Sequence, residues 1–392
     1  MYSRKVICKY PWTHFEVNNP NGNVTMCCDS IQILGNVNQN SILEIWNGKE
    51  YQKIRKEMLL KGAHSVCSSH CAVLKGFKSY QNLDWYCGVD NNSILFQNAD
   101  NNEKEIQTKA VSLESKPRWM RFAYSHVCNL NCYHCYQEKT RRQNLSLPDK
   151  FIKEVYEFAD YYQVMFFFGG EPFLYKPTIE LLKSGKLNPW CRYFFVTNAT
   201  LLNDELFSIL ENREIGLLAC SIDGASENTY QKLRKGGSWD KVLMNLQRIS
   251  SMKSKKNFVF SIALTINSIN AGELENFCAL ALSLNAEPLI ALVQNPFGTL
   301  AFQKKYLHFD NSMLSQILEQ IDRSIPQINE RGFQDAVIIW EHTKQSLLQH
   351  KKDGNNLIKF YIKRKMYDFY CLAPDPIKRL AKKVISSDKT SK

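Results

Sequence analysis

Residues 118–136 read RWMRFAYSHVCNLNCYHCY. The first seven, Arg118 to Tyr124, are apolar and aromatic enough for a strand buried on both faces. Three cysteines follow, Cys128, Cys132 and Cys135, spaced C-x3-C-x2-C on one short loop. Three thiolates so placed can hold three irons of a [4Fe–4S] cube. No fourth cysteine lies nearby, which leaves one iron open to a small ligand. Clusters closed by four cysteines carry electrons, whereas an open iron invites substrate chemistry. Zinc is the competing occupant of such a loop.

Downstream, strand-like runs alternate with helical periodicity. The strands read at 164–168, 192–197, 216–222, 258–266 and 287–293, all rich in β-branched and aromatic residues. Phe151, Ile152, Val155, Phe158, Ala159 and Tyr162 recur at helical spacing, with Ser146 and Asp149 as a capping box. Trp239, Val242, Leu246 and Ile249 share one helical face, and Asn270 with Glu273 caps a third helix through Phe277, Ala281 and Leu284. Six such repeats imply an α/β fold with an all-parallel sheet and helices outside it. They are too few for an eight-stranded barrel and suit a partial (β/α)6 barrel. Ligands of such sheets bind at the carboxyl ends of the strands.

Each remaining motif stands just after a strand. Gly169-Gly170-Glu171-Pro172 follows the second, and its glycines let backbone pass close to a ligand. Thr197-Asn198-Ala199-Thr200 ends the third, and Ser221-Ile222-Asp223-Gly224 ends the fourth, with Arg234 a little beyond. Taken singly, these read equally as an ordinary turn, a polar strand end and a solvated helix arginine beside Lys232 and Lys235.

Together, the cysteine loop, the Gly-Gly-Glu-Pro run and the SIDG…LRKGGSWDKV stretch resemble the radical S-adenosylmethionine (radical SAM) superfamily. The resemblance implies a [4Fe–4S] cluster on Cys128, Cys132 and Cys135 that binds S-adenosylmethionine (SAM). It implies SAM contacts from Gly169, Gly170 and Glu171 to the ammonium, from Asn198, Ser221 and Arg234, and from His134, which stacks on or hydrogen-bonds the cofactor. Arg234 has a physical case of its own, because a guanidinium pairs bidentately with a carboxylate such as that of SAM's methionine part.

The first ninety residues resemble the SPASM domain, an auxiliary iron–sulfur module. The pattern runs C-x13-G-x4-C from Cys8 through Gly22 to Cys27, then Gly35-Asn36, Ile45-Trp46-Asn47-Gly48, Arg55 and Cys67-Ser68-Ser69-His70-Cys71. Two departures stand out. The module precedes the barrel instead of following it, and a C-x2-C-x5 segment is missing before Cys67. The resemblance therefore implies one auxiliary [4Fe–4S] cluster, on Cys8, Cys27, Cys67 and Cys71, with Cys28 and Cys87 in reserve and zinc as the competing metal.

These readings divide the chain into a SPASM-like domain at 1–90, a polar linker at 91–116, a barrel at 117–300 and a mostly helical extension at 301–392. In the extension, Leu314 to Ile321 suggests a helix, Val337 to Trp340 a short strand and Ile377 to Ile385 a basic amphipathic helix. The extension either binds substrate or closes the barrel side. No apolar run is long enough to span a bilayer, and the start has no signal-peptide core. A cytoplasmic protein is expected. Thirteen cysteines there read as metal binding, not disulfides; the scattered Cys191, Cys220, Cys278 and Cys371 read as buried small hydrophobes.

A net charge of +12 is compatible with nucleic acid, but no nucleic-acid motif accompanies it, and none is expected as partner. It equally suits an acidic electron donor such as a flavodoxin or ferredoxin. The expected reaction is reductive cleavage of SAM to a 5′-deoxyadenosyl radical that takes hydrogen from substrate carbon. The outcome is oxidation or cross-linking of a peptide, or oxidation of a small polar sugar or aminocyclitol. The alternative is a non-catalytic iron–sulfur sensor or scaffold.

Overall fold

The computed structural model describes residues 7–27, 30, 32–63, 66–67, 71, 83, 88–135, 137–141, 143–184, 188–292 and 309–352. Nine strands join in one sheet: β1 His14–Val17, β2 Asn23–Thr25, β3 Gly35–Asn36, β4 Trp119–Phe122, β5 Val164–Phe167, β6 Arg192–Thr197, β7 Ile215–Ser221, β8 Val259–Ile266 and β9 Glu287–Leu292. Their spatial order is β3-β2-β1-β4-β5-β6-β7-β8-β9. From β4 to β9 every neighbouring pair is parallel and consecutive in the chain. Each crossover helix thus returns the chain beside the strand it left, as a partial barrel requires.

The other edge of the sheet holds a feature the sequence did not announce. β1 pairs in parallel with β4, in register from His14↔Trp119 to Val17↔Phe122. β2 and β3 continue antiparallel beyond it. The cysteine-rich N-terminal segment therefore extends the wall of the barrel.

Strand residues alternate between two environments, as a period of two dictates. Phe122 and Phe167 face the helices and line a small cavity with Ile152 and Leu181, and Phe122 meets Phe151 edge-on. Trp119, Arg121, Phe166 and Phe194 share the opposite, concave face. On β6 the outer residues Tyr193 and Phe195 are buried while Phe194 and Val196 are half-buried. The concave wall is thus partly open and largely aromatic.

Several local expectations need correction. The polar stretch 91–116 was expected to be a linker, yet it carries a helix over Ile94–Gln107, capped by Ser93. Besides Leu95 and Ala99, its buried face uses amides, which composition does not register as core. Asn102 Nδ2 donates to the Trp12 carbonyl at 2.8 Å, and Asn98 accepts from the Lys116 amide at 2.8 Å. Ser146 does not cap a helix. It bridges Ser125, and the helix starts at Asp149 after Pro148.

Glu273 stands at the N-cap of Leu274–Ser283, but its carboxylate instead takes Ala225 N and the hydroxyls of Ser226 and Thr229. Val337 to Trp340 lies inside a helix, Gln334–Lys352, because Ala336, Trp340, Thr343 and Leu347 form a buried stripe at helical spacing. This helix packs on Asn311–Glu330 and on the β9 edge, where Trp340 donates to the Pro288 carbonyl, while Asn311–Glu330 packs on Leu274–Ser283. Residues 377–385 fall outside the described residues. Among those described, no helix is long and apolar enough to cross a membrane.

Candidate cofactor site

Cys128, Cys132 and Cys135 lie on the loop after β4, at the carboxyl ends of the parallel strands. Backbone hydrogen bonds hold this loop from two sides. Asn131 N donates to Lys235 O and Tyr133 N to Leu233 O, both at 2.8 Å, while Glu171 N donates to Val127 O at 3.1 Å. The loop is thereby fixed to the segment carrying Arg234 and to the Gly-Gly-Glu-Pro turn.

All three thiols are half-buried. Burial raises the Cys128 and Cys135 thiols above their usual range, against backbone N–H groups at Leu130 and Gln137. Cys128 Sγ accepts from Leu130 N at 3.4 Å and from Asn198 Nδ2 at 3.6 Å. Cys132 is close enough to both neighbours to act on them electrostatically.

The glycines owe their identity to contact with this loop. Gly169 has φ +81° and Gly170 φ +51°, where only glycine is unstrained. A Cβ on Gly170 would lie 2.0 Å from Val127 O and 2.2 Å from Tyr175 Oη. Glu171 is fully buried. Its carboxylate accepts from Thr197 Oγ1 at 2.7 Å, Asn198 N at 2.8 Å and Phe173 N at 3.3 Å. Burial outweighs those donors and pushes it up to about 7. Glu171 thus joins the turn to the end of β6. Asn198 in turn accepts from Thr200 and donates to Asn129 Oδ1 at 3.0 Å.

At the end of β7, Ser221 is half-buried on the same rim, followed by Asp223 at φ +55°. Asp223 was not singled out as a site residue from the sequence, although it stands within the SIDG run. Its Oδ2 lies 2.5 Å from Arg234 Nη2 and 3.1 Å from His134 Nε2, and Oδ1 accepts from Thr265 N at 2.7 Å. Burial alone would raise this carboxyl, but Arg234 and His134 hold it well below the usual range. Burial likewise opposes the Arg234 charge, and Asp223 with Cys132 more than restores it. Arg234 is therefore a largely buried, paired cation beside the cysteine loop, with its side chain 12% exposed.

Buried polar atoms around that loop without a hydrogen-bond partner among the described residues include His134 Nδ1, Tyr230 Oη and Arg234 Nε. Buried polar groups are ordinarily satisfied. Donors left open beside three thiols fit a cluster and a zwitterionic ligand.

The second cysteine set also converges. Cys8, Cys27, Cys67 and Cys71 are all buried free thiols. Cys67 and Cys71 share a hydrogen bond, and Cys67 also feels Cys27 and Cys8. Burial pushes Cys8 up to about 12, and the Cys71 hydrogen bond, burial and the neighbouring thiols raise Cys67 further still. Four thiols cannot ionise together in such a place unless a bound cation offsets their charge. The residues fit a metal cluster. The reserves Cys28 and Cys87 lie outside the described residues, as does Cys371; Cys191, Cys220 and Cys278 are buried. Among the described residues no three His, Cys, Asp or Glu side chains are gathered on a lone-ion site.

Metal analysis separates iron from zinc. Anaerobically reconstituted protein should carry about eight irons per chain, four for each cube. Replacing Cys128, Cys132 and Cys135 together by alanine should remove half of that iron. Zinc at one equivalent per chain with the N-terminal thiols still protected would contradict an auxiliary iron–sulfur cluster.

Comparison with known proteins agrees with this geometry. Residues 123–281 match the radical SAM superfamily, and residues 8–72 match the iron–sulfur cluster-binding SPASM domain. An AdoMet-dependent heme synthase of Methanosarcina barkeri is 27% identical over 186 residues, which cover 45% of this chain and 50% of that protein. A probable GTP 3′,8-cyclase of Saccharolobus islandicus is 25% identical over 227 residues, covering 56% of this chain and 70% of that protein. The chain thus spans about half of the heme synthase's length.

Among solved structures, native anSMEcpe with AdoMet and a Cp18Cys peptide superposes with TM-score 0.43 at 18% identity, over 55% of this chain and 62% of that one. Streptococcus suis SuiB bound to S-adenosylmethionine gives 0.42 at 17%, over 59% and 52%. The two matched domains imply SAM and two [4Fe–4S] clusters. The chain thus carries a radical SAM domain over residues 123–281 and, ahead of it, a SPASM iron–sulfur domain over residues 8–72.

Proposed function

We propose that this protein cleaves SAM reductively at the Cys128–Cys132–Cys135 loop and takes hydrogen from an unactivated carbon of a peptide, giving oxidation or a cross-link. The observation that carries this reading is the buried Arg234–Asp223–His134 group, fixed by backbone hydrogen bonds beside three thiols on a strand-end loop. When bound, the cluster and SAM supply an electron to the sulfonium and a carbon radical able to abstract hydrogen; such chemistry belongs to the cofactors, and the protein orients them.

The chain's own residues divide that work. Cys128, Cys132 and Cys135 hold the first cluster. Backbone at Gly169 and Gly170, with Asn198, Ser221, Arg234 and His134, receives SAM. Glu171 keeps the turn joined to β6. Cys8, Cys27, Cys67 and Cys71 would hold the second cluster, which would supply an electron acceptor or a binding point on the substrate side. An acidic donor such as a flavodoxin or ferredoxin brings electrons to a chain of net charge +12. The half-buried aromatic wall of Phe166 and Phe194 offers apolar contact suited to a side chain of a peptide substrate.

Arg234→Lys tests the cofactor contact. A lysine keeps the charge but loses the planar fork, so it cannot satisfy Asp223 and a ligand carboxylate together. SAM affinity should fall by on the order of 1.5–3 kcal/mol, the worth of a charge-assisted hydrogen bond. Unchanged affinity in a fully iron-loaded variant would remove Arg234 from the SAM site.

A further inference from the structure

Because β1 lies beside β4, two side chains of the auxiliary domain reach the concave face of the barrel. Arg121 Nη1 donates to Glu16 Oε2 at 3.0 Å and also to Asn18 Oδ1. Asn18 is itself braced on Thr25 Oγ1 at 2.8 Å. The Arg121 guanidinium lies over Phe168, its Cζ 3.8 Å from the ring centre, with the Phe166 ring centre at 5.0 Å. Both rings are half-buried, and Phe168 directly precedes Gly169 of the cofactor turn. Neither the family matches nor the sequence motifs account for this group.

We propose that Glu16, Asn18 and Arg121, set against Phe166 and Phe168, form the specificity site for the substrate, reading an uncharged apolar or aromatic residue of a peptide by its ring and its backbone amide. The inference rests on the peptide reading of the function. Its physical basis is the cluster's charge. Glu16 is almost fully buried and neutralises Arg121 at contact distance, so the patch is polar and net neutral. An amide meets donors and acceptors there, and an aromatic side chain meets the phenyl wall. A polyanion approaching Arg121 would face the Glu16 carboxylate as well, and like charges in a half-buried site repel strongly. The site therefore excludes a nucleoside triphosphate by the same residue that holds its arginine.

The test uses full-length, cluster-reconstituted protein with SAM bound, and calorimetric binding of three probes: N-acetyl-L-phenylalaninamide, myo-inositol and GTP. The wild type should bind the phenylalanine amide at least fivefold more tightly than either other probe. Phe168→Leu and Arg121→Gln should each weaken it by at least threefold. Glu16→Gln, which keeps shape and removes the opposing charge, should raise GTP affinity at least tenfold, and adding Arg121→Gln should cancel that gain.

SAM affinity should stay unchanged in Glu16→Gln, because Gly169, Gly170, Asn198, Ser221 and Arg234 stand on other elements; thermal melts confirm folding of each variant. GTP binding to the wild type as tightly as to Glu16→Gln would overturn the proposal, as would preference for inositol or indifference of the amide to all three substitutions. Failure of the wild type to bind SAM would instead count against the cofactor reading.

Discussion

Cys132→Ala is expected to abolish release of 5′-deoxyadenosine from SAM. Reduced, reconstituted wild-type protein should release it slowly even without substrate, since an open iron and a formed SAM site suffice for some abortive cleavage. Cys132 is the middle thiol of the loop, within electrostatic reach of Cys128, Cys135, Tyr230 and Arg234. Two thiolates cannot keep a cube in its SAM-binding geometry. Iron should fall from about eight to about four per chain, one cube's worth. Cys67→Ala should retain much of the cleavage, because in the function proposed above the auxiliary cysteines serve the substrate side. Chromatographic assay of deoxyadenosine reads both variants, and cleavage surviving Cys132→Ala would assign the chemistry elsewhere.

Gly170→Ala is the second large effect. The residue's φ of +51° already costs an alanine about 1–2 kcal/mol. The new methyl would also sit 2.0 Å from Val127 O, a backbone atom one residue before Cys128. That atom cannot yield without moving the cysteine loop, since Val127 O also accepts from Glu171 N. The total should exceed about 3 kcal/mol locally. SAM binding and the first cluster should be lost while the auxiliary cluster stays. Gly332→Ala is the control. Its φ is +76° with nothing within 4 Å of a Cβ, so it should cost only the backbone term of about 1–2 kcal/mol and leave SAM binding intact. Equal behaviour of the two variants, read by SAM titration and iron content, would show that Gly170 does not support the site.

Those glycines illustrate what the sequence makes legible. Gly169-Gly170 was expected to admit a ligand. What the glycines admit first is the backbone of the cysteine loop, a contact between segments that no local pattern records. The six barrel strands were readable because β4 to β9 are sheet strands with a helix-covered face and carry dense β-branched and aromatic residues. β1 was not. Its four residues, His14–Val17, have no periodicity to speak of, and their partner strand lies about a hundred residues away, a long-range pairing that local pattern does not encode.

Polar cores are the other blind spot. Asn98 and Asn102 made a helix look like a linker, and Asp223 was quoted within a motif while its two partners, His134 and Arg234, come from separate elements. Val337-Ile338-Ile339-Trp340 favours a strand by composition, and only the burial of Ala336, Thr343 and Leu347 around it settles the helix.

The most direct test of the central claim is electron paramagnetic resonance of the dithionite-reduced protein with and without SAM. Two overlapping [4Fe–4S] signals should appear. SAM should shift one of them, and the shifted signal should be the one missing from Cys132→Ala, whose remaining signal stays unmoved. A fully iron-loaded wild-type protein whose spectrum ignores SAM at millimolar concentration would contradict SAM chemistry at the Cys128–Cys132–Cys135 loop.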